Sequence, residues 1–182
     1  EKNADGTYTV TGDGAVTISA VRATRRKSWL SFADTSWYTG AGKTYTLTTA
    51  AQLAGLAKLV NEQGVSFSGV TVQLGTDISL ASIDGASGSC TWTAIGASLQ
   101  KPFSGTFDGQ GHTIFAMEAY NEGSYAALFG CCTGAEIKNL TICGSAAGQA
   151  RASYAAGLIA YAKNCKISSV SCYVDVTAAG TH

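Results

Sequence analysis

The later part of the sequence repeats itself at a fixed interval. Leu128 and Leu158 are separated by the same interval as Ile137 and Ile167, and the two copies read YAALFGCCTGAEIKNLTIC and YAAGLIAYAKNCKISSVSCY. A fixed period in this range is typical of proteins built from stacked structural units. Each unit has apolar residues at strand spacing and no helical stretch between them. The repeat therefore predicts a β-solenoid, in which every coil buries its inward side chains against the neighbouring coils.

Glycine is concentrated in residues 103–114, FSGTFDGQGHTI, which also contain Asp108 and His112. A phosphate-binding loop would need these glycines to lead into a helix, and here they lead into the strand-like segment HTIFAM. The glycines allow a tight corner between two strands of one coil, and Asp108 can hydrogen-bond to the turn backbone. His112 has no acid or nucleophile beside it in the sequence, so we interpret it as a turn residue.

The strand pattern also predicts which side chains face the solenoid interior. Successive residues of a strand point to opposite faces, so the apolar positions of each strand mark its inward side. The predicted interior residues are Phe103, Phe107, Ile114, Leu128, Ile137, Leu140, Ile142, Leu158, Ile167 and Val170.

Residues 48–63, TTAAQLAGLAKLVNEQ, change from strand spacing to helical spacing. Thr48 or Thr49 can cap the start of this helix, and Gly64 ends it. A short helix with one apolar face, in a chain otherwise made of strands, is expected to lie against a flat or open-ended surface.

Composition argues against several classes of partner. Lys plus Arg and Asp plus Glu number 12 each among 182 residues, so the formal net charge is zero. We expect neither nucleic acid nor an anionic membrane as a partner, because no overall field attracts them. No apolar stretch approaches the ~20 residues that a membrane-spanning helix needs, so no membrane insertion is expected in this segment.

The six cysteines show neither a C-x-x-C pair nor a cluster with histidine. This spacing argues against a zinc site, and no metal or cofactor is expected. An even number of cysteines permits three disulfides, but the favoured interpretation is that they are small buried hydrophobic residues.

The N-terminal part of the chain differs from the rest. Residues 7–21 alternate apolar and polar side chains around a Gly-Asp-Gly turn, a pattern that predicts a β-hairpin. The basic residues at 22, 25, 26 and 27 fit a solvated connector better than a patch for an anionic partner. We predict that residues 1–36 are the end of a preceding β module and a linker, and that the solenoid occupies residues 37–182.

Four motifs follow one another from residue 37 onward. WYTGAGKTYTLTTAAQLAGLAKLVNEQGVSFSGVTVQLGTDISL is followed by WTAIG, by FSGTFDGQGHTI and by ALFG. This order resembles the GLUG-repeat segments of large, adhesin-like bacterial cell-surface proteins. The same repeat also occurs in some secreted immunoglobulin A-cleaving metallopeptidases. ALFG at 127–130 lacks the family's leading Gly pair, AGLIA at 156–160 lacks its closing Gly, and Ala94 stands where the family usually has Pro.

The resemblance implies a mainly β fold, a right-handed parallel β-helix whose N-terminal end is capped by the helix at 48–63. Such a cap would cover apolar core and unpaired strand edges, which otherwise invite aggregation. The resemblance also implies an extracellular location on the bacterial cell surface. We expect the chain to be an internal piece of a larger exported protein, with further coils after residue 182.

The sequence indicates no catalytic site, and we predict a segment without enzymatic activity. The carboxylates from residue 62 onward show no paired spacing, and Lys138 and Arg151 are the cations that could face one groove. A hydrolase or lyase would concentrate acid, base and charge stabiliser on one face.

Two hypotheses of function remain open. The first is a non-catalytic surface module, a stalk or adhesive β-helix that presents ligand-binding sides to host or microbial glycans or to surface proteins. The second is a carbohydrate-binding or carbohydrate-active β-helix, or an accessory domain of a secreted hydrolase or peptidase. Ordinary packing between coils is the favoured interpretation of the tyrosines, but five of them could form a ligand-facing surface for sugars: Tyr120, Tyr125, Tyr154, Tyr161 and Tyr173.

Overall fold

A computed structural model describes residues 27–81, 90–121, 125–148 and 154–178 of the chain. These residues are mostly β and form a parallel β-solenoid of about four turns together with one α-helix. The predicted mainly β solenoid is confirmed. The hairpin predicted at residues 7–21 lies outside the described residues.

The strands are numbered in the order in which they occur along the chain. The strands are β1 Lys27–Ser28, β2 Thr44–Leu47, β3 Thr71–Leu74, β4 Ile78–Ser79, β5 Cys90–Thr91, β6 Thr106–Asp108, β7 Thr113–Asn121, β8 Tyr125–Ala126, β9 Phe129–Thr133, β10 Glu136–Gly148, β11 Tyr154–Ala155, β12 Ile159–Lys163 and β13 Lys166–Ala178. A 3₁₀ turn, Trp29–Phe32, follows β1, and the helix α1, Ala50–Asn61, connects β2 to β3.

The first side of the coils is formed by β2, β3, β6 and the N-terminal parts of β10 and β13, which stack in that order with parallel pairing. Equivalent positions along this stack are Thr44, Thr71, Thr106, Glu136 and Lys166. The last two steps of this series have the length of the sequence repeat, so the observed register is the one that the repeat predicts.

Strands β10 and β13 each bend from the first side to the second side of the coil. The bends lie at Asn139 and Ser169, whose φ angles are 52° and 54°. A left-handed backbone is uncommon at a non-glycine residue, and its recurrence one repeat later marks a corner that stacking holds in place. Beyond the bend, β4, β7, β10 and β13 stack in parallel as the second side.

The third side consists of β9 and β12, which pair in parallel, and of Ile95 and Phe103, which bridge to β9. The short strands β8 and β11 pair just before it along the chain. Gly134 and Asn164 follow β9 and β12 with positive φ angles. They turn the chain from the third side into β10 and β13.

Most of the predicted interior is buried as expected. Phe103, Phe107, Ile114, Leu128, Ile137, Leu140 and Ile142 are at most 2% exposed. On the second side, Ile78, Ile114 and Ile142 stand in register on successive coils. Each inward side chain thus contacts its equivalent in the neighbouring coil, which is how a solenoid buries apolar surface.

The predicted burial is wrong for the last described coil. Ile167 is 49% exposed, and Leu158 and Val170 are only half-buried. Their partners in the preceding coil are covered on both sides, whereas β13 pairs only with β10 among the described residues. An inward position is buried only where a coil lies on each side of it.

Helix α1 begins at the capping residues that the sequence predicts. Thr49 Oγ1 accepts a hydrogen bond from the N–H of Gln52 at 3.2 Å, and Gln52 Oε1 accepts one from the N–H of Thr48 at 2.8 Å. These bonds satisfy donors that the first turn of a helix leaves unpaired. Gly64, with a φ of 72°, follows the end of the helix.

The helix lies at one end of the stack, because β2, which leads into it, is the edge strand of its sheet. Leu53, Leu56 and Val60 are fully buried and belong to the same core cluster as the strands. The apolar face of α1 therefore closes this end of the solenoid against water, as expected of a cap.

A second layer covers the opposite side of α1. The N–H of Asp34 donates to the carbonyl of Ala51 at 2.9 Å, and Trp37 Nε1 donates to the carbonyl of Gln52 at 3.2 Å. Gly55 makes this approach possible, because a Cβ at that position would overlap the carbonyl oxygen of Asp34. The helix is thus held between the coils and the segment that follows the 3₁₀ turn.

Candidate functional site

The structure separates the five tyrosines that were considered for a ligand-facing surface. Tyr120 and Tyr173 lie on the second side of the coil, in register with Ala147 and Cys143 respectively. The other three form one cluster, which we name the tyrosine platform: Tyr125, Tyr154 and Tyr161.

Two rings of the platform stack across neighbouring coils. Because β8 pairs with β11, Tyr125 lies opposite Tyr154, and their ring centroids are 5.6 Å apart at an interplanar angle of 16°. Tyr125 is 8% exposed, whereas Tyr154 is 57% exposed. Tyr154 is the more exposed of the two because it lies on the last described coil, whereas Tyr125 is covered by Tyr154.

Tyr125 is held in place by Cys131, which is itself buried. A side-chain hydrogen bond with Cys131 and burial, together with the nearby Tyr154 and Tyr161, raise the pKa of Tyr125 to about 12. Burial also raises the pKa of the Cys131 thiol, although the hydrogen bond opposes this effect. Both groups therefore stay protonated at neutral pH.

Tyr161 joins the platform from β12. It lies opposite Cys131 of β9 and is 37% exposed. Two residues further along these strands, Lys163 lies opposite Thr133. Alternate residues of a strand share a face, so Lys163 and Thr133 add polar groups to the same side of the sheet as Tyr161.

The glycine-rich segment 103–114 forms the corner that the sequence predicts. Asp108 Oδ1 accepts hydrogen bonds from the N–H of Gln110 and from the side-chain amide of Asn139, each at 3.0 Å. Gln110 and Gly111 both have left-handed backbones, with φ angles of 53° and 82°. Asp108 therefore supports the turn, as predicted, and also ties it to the next coil.

His112 has a partner that the sequence reasoning missed. Its Nδ1 lies 3.2 Å from Asp77 Oδ1, and the same oxygen accepts a hydrogen bond from the N–H of Thr113 at 2.8 Å. The bond from Thr113 and the weaker interaction with His112 lower the pKa of Asp77. These contacts join two coils, and only the register of β4 against β7 could have indicated them.

Two pairs of charged residues join coils on the first side. Lys138 Nζ lies 3.6 Å from Asp108 Oδ2, and Lys166 Nζ lies 2.9 Å from Glu136 Oε1. Burial opposes ionisation of Asp108, but its hydrogen bonds and Lys138 outweigh burial and lower its pKa. The hydrogen bond from Lys166 lowers the pKa of Glu136. Lys138, considered above for a groove, is thus paired with Asp108, and Arg151 lies outside the described residues.

Within residues 27–81, 90–121, 125–148 and 154–178, no group of three or more His, Cys, Asp or Glu side chains is placed to hold a metal ion. All six cysteines lie in these ranges, and all are free thiols. Cys90, Cys131 and Cys132 are buried, as small hydrophobic residues would be. That interpretation is wrong for Cys172, which is exposed because it lies on the last described coil.

Comparisons with protein-family models, with curated proteins and with solved structures found no match to this chain. The resemblance to GLUG-repeat segments therefore stays a hypothesis that rests on the sequence motifs. In the described part of the chain, no helix is long and apolar enough to span a membrane.

Proposed function

We propose that this chain is a non-catalytic module of a bacterial cell-surface protein, which presents the outer sides of its solenoid to host or microbial ligands outside the cell. The observation that carries this proposal is the regular stack of coils, a parallel β-solenoid of about four turns whose charged pairs join one coil to the next. Stacked repeats of this kind form extended surfaces that proteins use for binding. The motif resemblance to GLUG-repeat segments supports the extracellular location.

The charged residues support a structural role better than a catalytic one. Asp108 and Glu136 each contact a lysine of the next coil, and both have lowered pKa values. A general acid of a hydrolase instead needs a pKa raised towards the working pH. Neither carboxylate suits that role, because both are ionised at neutral pH.

The lack of catalysis can be tested on the purified chain. It is incubated with plant, host and microbial polysaccharides, with and without calcium, and reducing ends and unsaturated products are measured. We expect no more product than a heat-unfolded sample releases. Release of product that is lost in a folded Asp108→Ala or Glu136→Gln variant would overturn the proposal.

The location can be tested on the cells that produce the protein. Antibodies against the chain are applied to intact cells and to permeabilised cells, with a cytosolic protein as the control. We expect intact cells to be labelled. Labelling that requires permeabilisation would contradict the extracellular location.

A second candidate is a carbohydrate-binding module, either alone or as an accessory domain of a secreted hydrolase or peptidase. The clustering of Tyr125, Tyr154 and Tyr161 favours this candidate, because aromatic rings can stack on sugar rings. The full-length gene product separates the two proposals, because a cell-wall anchor favours the surface module and a catalytic domain favours the accessory role.

A further inference from the structure

We infer that Asn61 and Lys101 form a latch, which holds the helix cap on the third side of the solenoid and keeps the cap from opening while the coils stay folded. Asn61 is the last residue of α1, and Lys101 lies between Ile95 and Phe103, the two residues that bridge to β9 or its end. The hydrogen bonds of the latch join residues 33 to 40 positions apart in the sequence. The inference goes beyond the proposed function, because it concerns the opening of the cap and no ligand.

The first argument is that the third side has an edge next to the helix. The N–H of Ile95 donates to the carbonyl of Leu128 at 3.0 Å, and the carbonyl of Ile95 accepts a hydrogen bond from the N–H of Gly130 at 2.8 Å. Among the described residues, no strand pairs with the other edge of residues 94–97. Backbone groups at such an edge need a partner, because unpaired ones can bond to another chain.

The second argument is that the side chain of Asn61 supplies these partners from the helix. Its Nδ2 donates to the carbonyl of Ala94 at 2.9 Å. Its Oδ1 accepts hydrogen bonds from the N–H groups of Gly96 and Ala97, at 2.9 Å and 2.8 Å. A side-chain amide offers a carbonyl oxygen and N–H groups, as a peptide group does. Asn61 therefore takes the place that a peptide group of a neighbouring strand would occupy.

The third argument is that Lys101 reaches back from the third side to the helix. Its ammonium group donates to the carbonyls of Asn61 and Glu62, at 2.9 Å and 3.0 Å. The last carbonyls of a helix have no partners within the helix, and positive charge is favourable at that end. A turn in which the N–H of Lys101 donates to the carbonyl of Ser98 at 3.2 Å positions the lysine. The helix and the third side thus each bind the backbone of the other.

The fourth argument is the difference between these contacts and the apolar packing of the cap. The buried face of α1, which includes Leu56 and Val60, is held by a non-directional attraction. The hydrogen bonds of the latch are directional, so they fix one position of the helix end on the coil. Opening the helix end alone would break all of them and leave the edge at residues 94–97 without partners. The end of the helix should therefore open only together with the coils.

The experiment follows hydrogen exchange of two backbone amides of the whole chain by NMR at increasing, sub-denaturing urea. The N–H of Glu62 donates to the carbonyl of Lys58 at the helix end, and that of Glu136 donates to the carbonyl of Gly105 between coils. In the parent, we expect urea to accelerate both amides steeply, as an opening that exposes much surface requires. In Asn61→Ala, the Glu62 amide should exchange about tenfold faster or more and lose its urea dependence, while the Glu136 amide keeps its rate.

Lys101→Met, which keeps most of the side chain but removes the ammonium group, should accelerate the Glu62 amide in the same direction. Gln63→Ala is the control, because Gln63 is exposed just beyond the helix. Circular dichroism confirms folding, and Asn61→Asp, which keeps the acceptor and loses the donor, replaces Asn61→Ala if that variant does not fold. A Glu62 amide that exchanges in the folded Asn61 variant as it does in Gln63→Ala would overturn the inference. Equal acceleration of the Glu136 amide, or a Glu62 amide that is already insensitive to urea in the parent, would also overturn it.

Discussion

The exposure difference between two isoleucines at the same position of successive coils gives the sharpest test of the solenoid. Ile137 and Ile167 lie opposite each other in β10 and β13. Ile137 is fully buried, whereas Ile167 is 49% exposed. The substitutions Ile137→Ala and Ile167→Ala therefore remove the same atoms from the same ladder, with only the covering coil different.

The expected losses of unfolding free energy follow from these exposures. At about 0.8 kcal/mol per buried methylene-sized group, the three carbons that Ile137→Ala removes account for about 2.4 kcal/mol. The cavity left in a closed core adds to this loss and places the total within about 2–5 kcal/mol. Ile167→Ala should cost only about 1 kcal/mol, because half of the side chain is already in water and no closed cavity forms.

Urea unfolding followed by circular dichroism measures both losses by linear extrapolation. The measurements are made at two protein concentrations, because association at the open edge of β13 would cover Ile167. We expect Ile137→Ala to be clearly the more destabilising at both concentrations. Equal losses at low concentration would refute the reasoning, since Ile167 would then have to be buried.

Three further predictions concern the cap, the corner and pH. Leu56→Asp should place a carboxylate in the buried face of α1 and produce oligomers in size-exclusion chromatography, whereas the control Lys58→Asp should not. A Leu56→Asp protein that stays monomeric and melts like the parent would contradict the capping role. Gly109→Ala should destabilise the protein more than Gly111→Ala in urea unfolding, because a Cβ at position 109 would overlap the backbone of the next coil. A Cβ at position 111 meets open space, so Gly111→Ala should cost only about 1–2 kcal/mol for its left-handed backbone. The reverse order would contradict the corner geometry. Folding lowers the pKa of Asp108, so its contribution to stability is present above the ordinary value of 3.8 and is lost as pH falls through the lower pKa of the folded state. Asp108→Asn should therefore make the free energy of unfolding less steeply dependent on acid pH. An unchanged slope would contradict this linkage.

The sequence was sufficient to predict the coils because burial imposes a periodic constraint. Leu128 and Ile137 recur one repeat later as Leu158 and Ile167, and the strands pair in that register. The glycine corner was predictable for a similar reason, since its residues suit a turn and do not lead into a helix. The contact between Asp77 and His112 was not predictable, because it depends on which strands are neighbours rather than on local sequence.

The exposure of Ile167 and Cys172 marks a second limit of sequence reasoning. Both lie opposite fully buried isoleucines of β10, Ile137 and Ile142, so their positions in the repeat are inward. Periodicity identifies the direction of a side chain, but burial also requires a neighbouring coil. Inside the stack an inward-facing side chain is also buried, whereas at the edge it can face inward and still be exposed.

The tyrosine platform lies where the periodic constraint is weakest. Tyr125 pairs with Tyr154 and Phe129 pairs with Ile159, so the later coil has one extra residue between its two paired positions. Alanines lie on either side of this extra residue, so the sequence alone does not show where it is inserted. Outward positions are also free of the packing that fixes inward ones, and they can change without disturbing the coils. Both copies of the repeat begin with Tyr, so the sequence suggests that Tyr125 and Tyr154 are equivalent, but only the register of β11 against β8 shows that their rings stack.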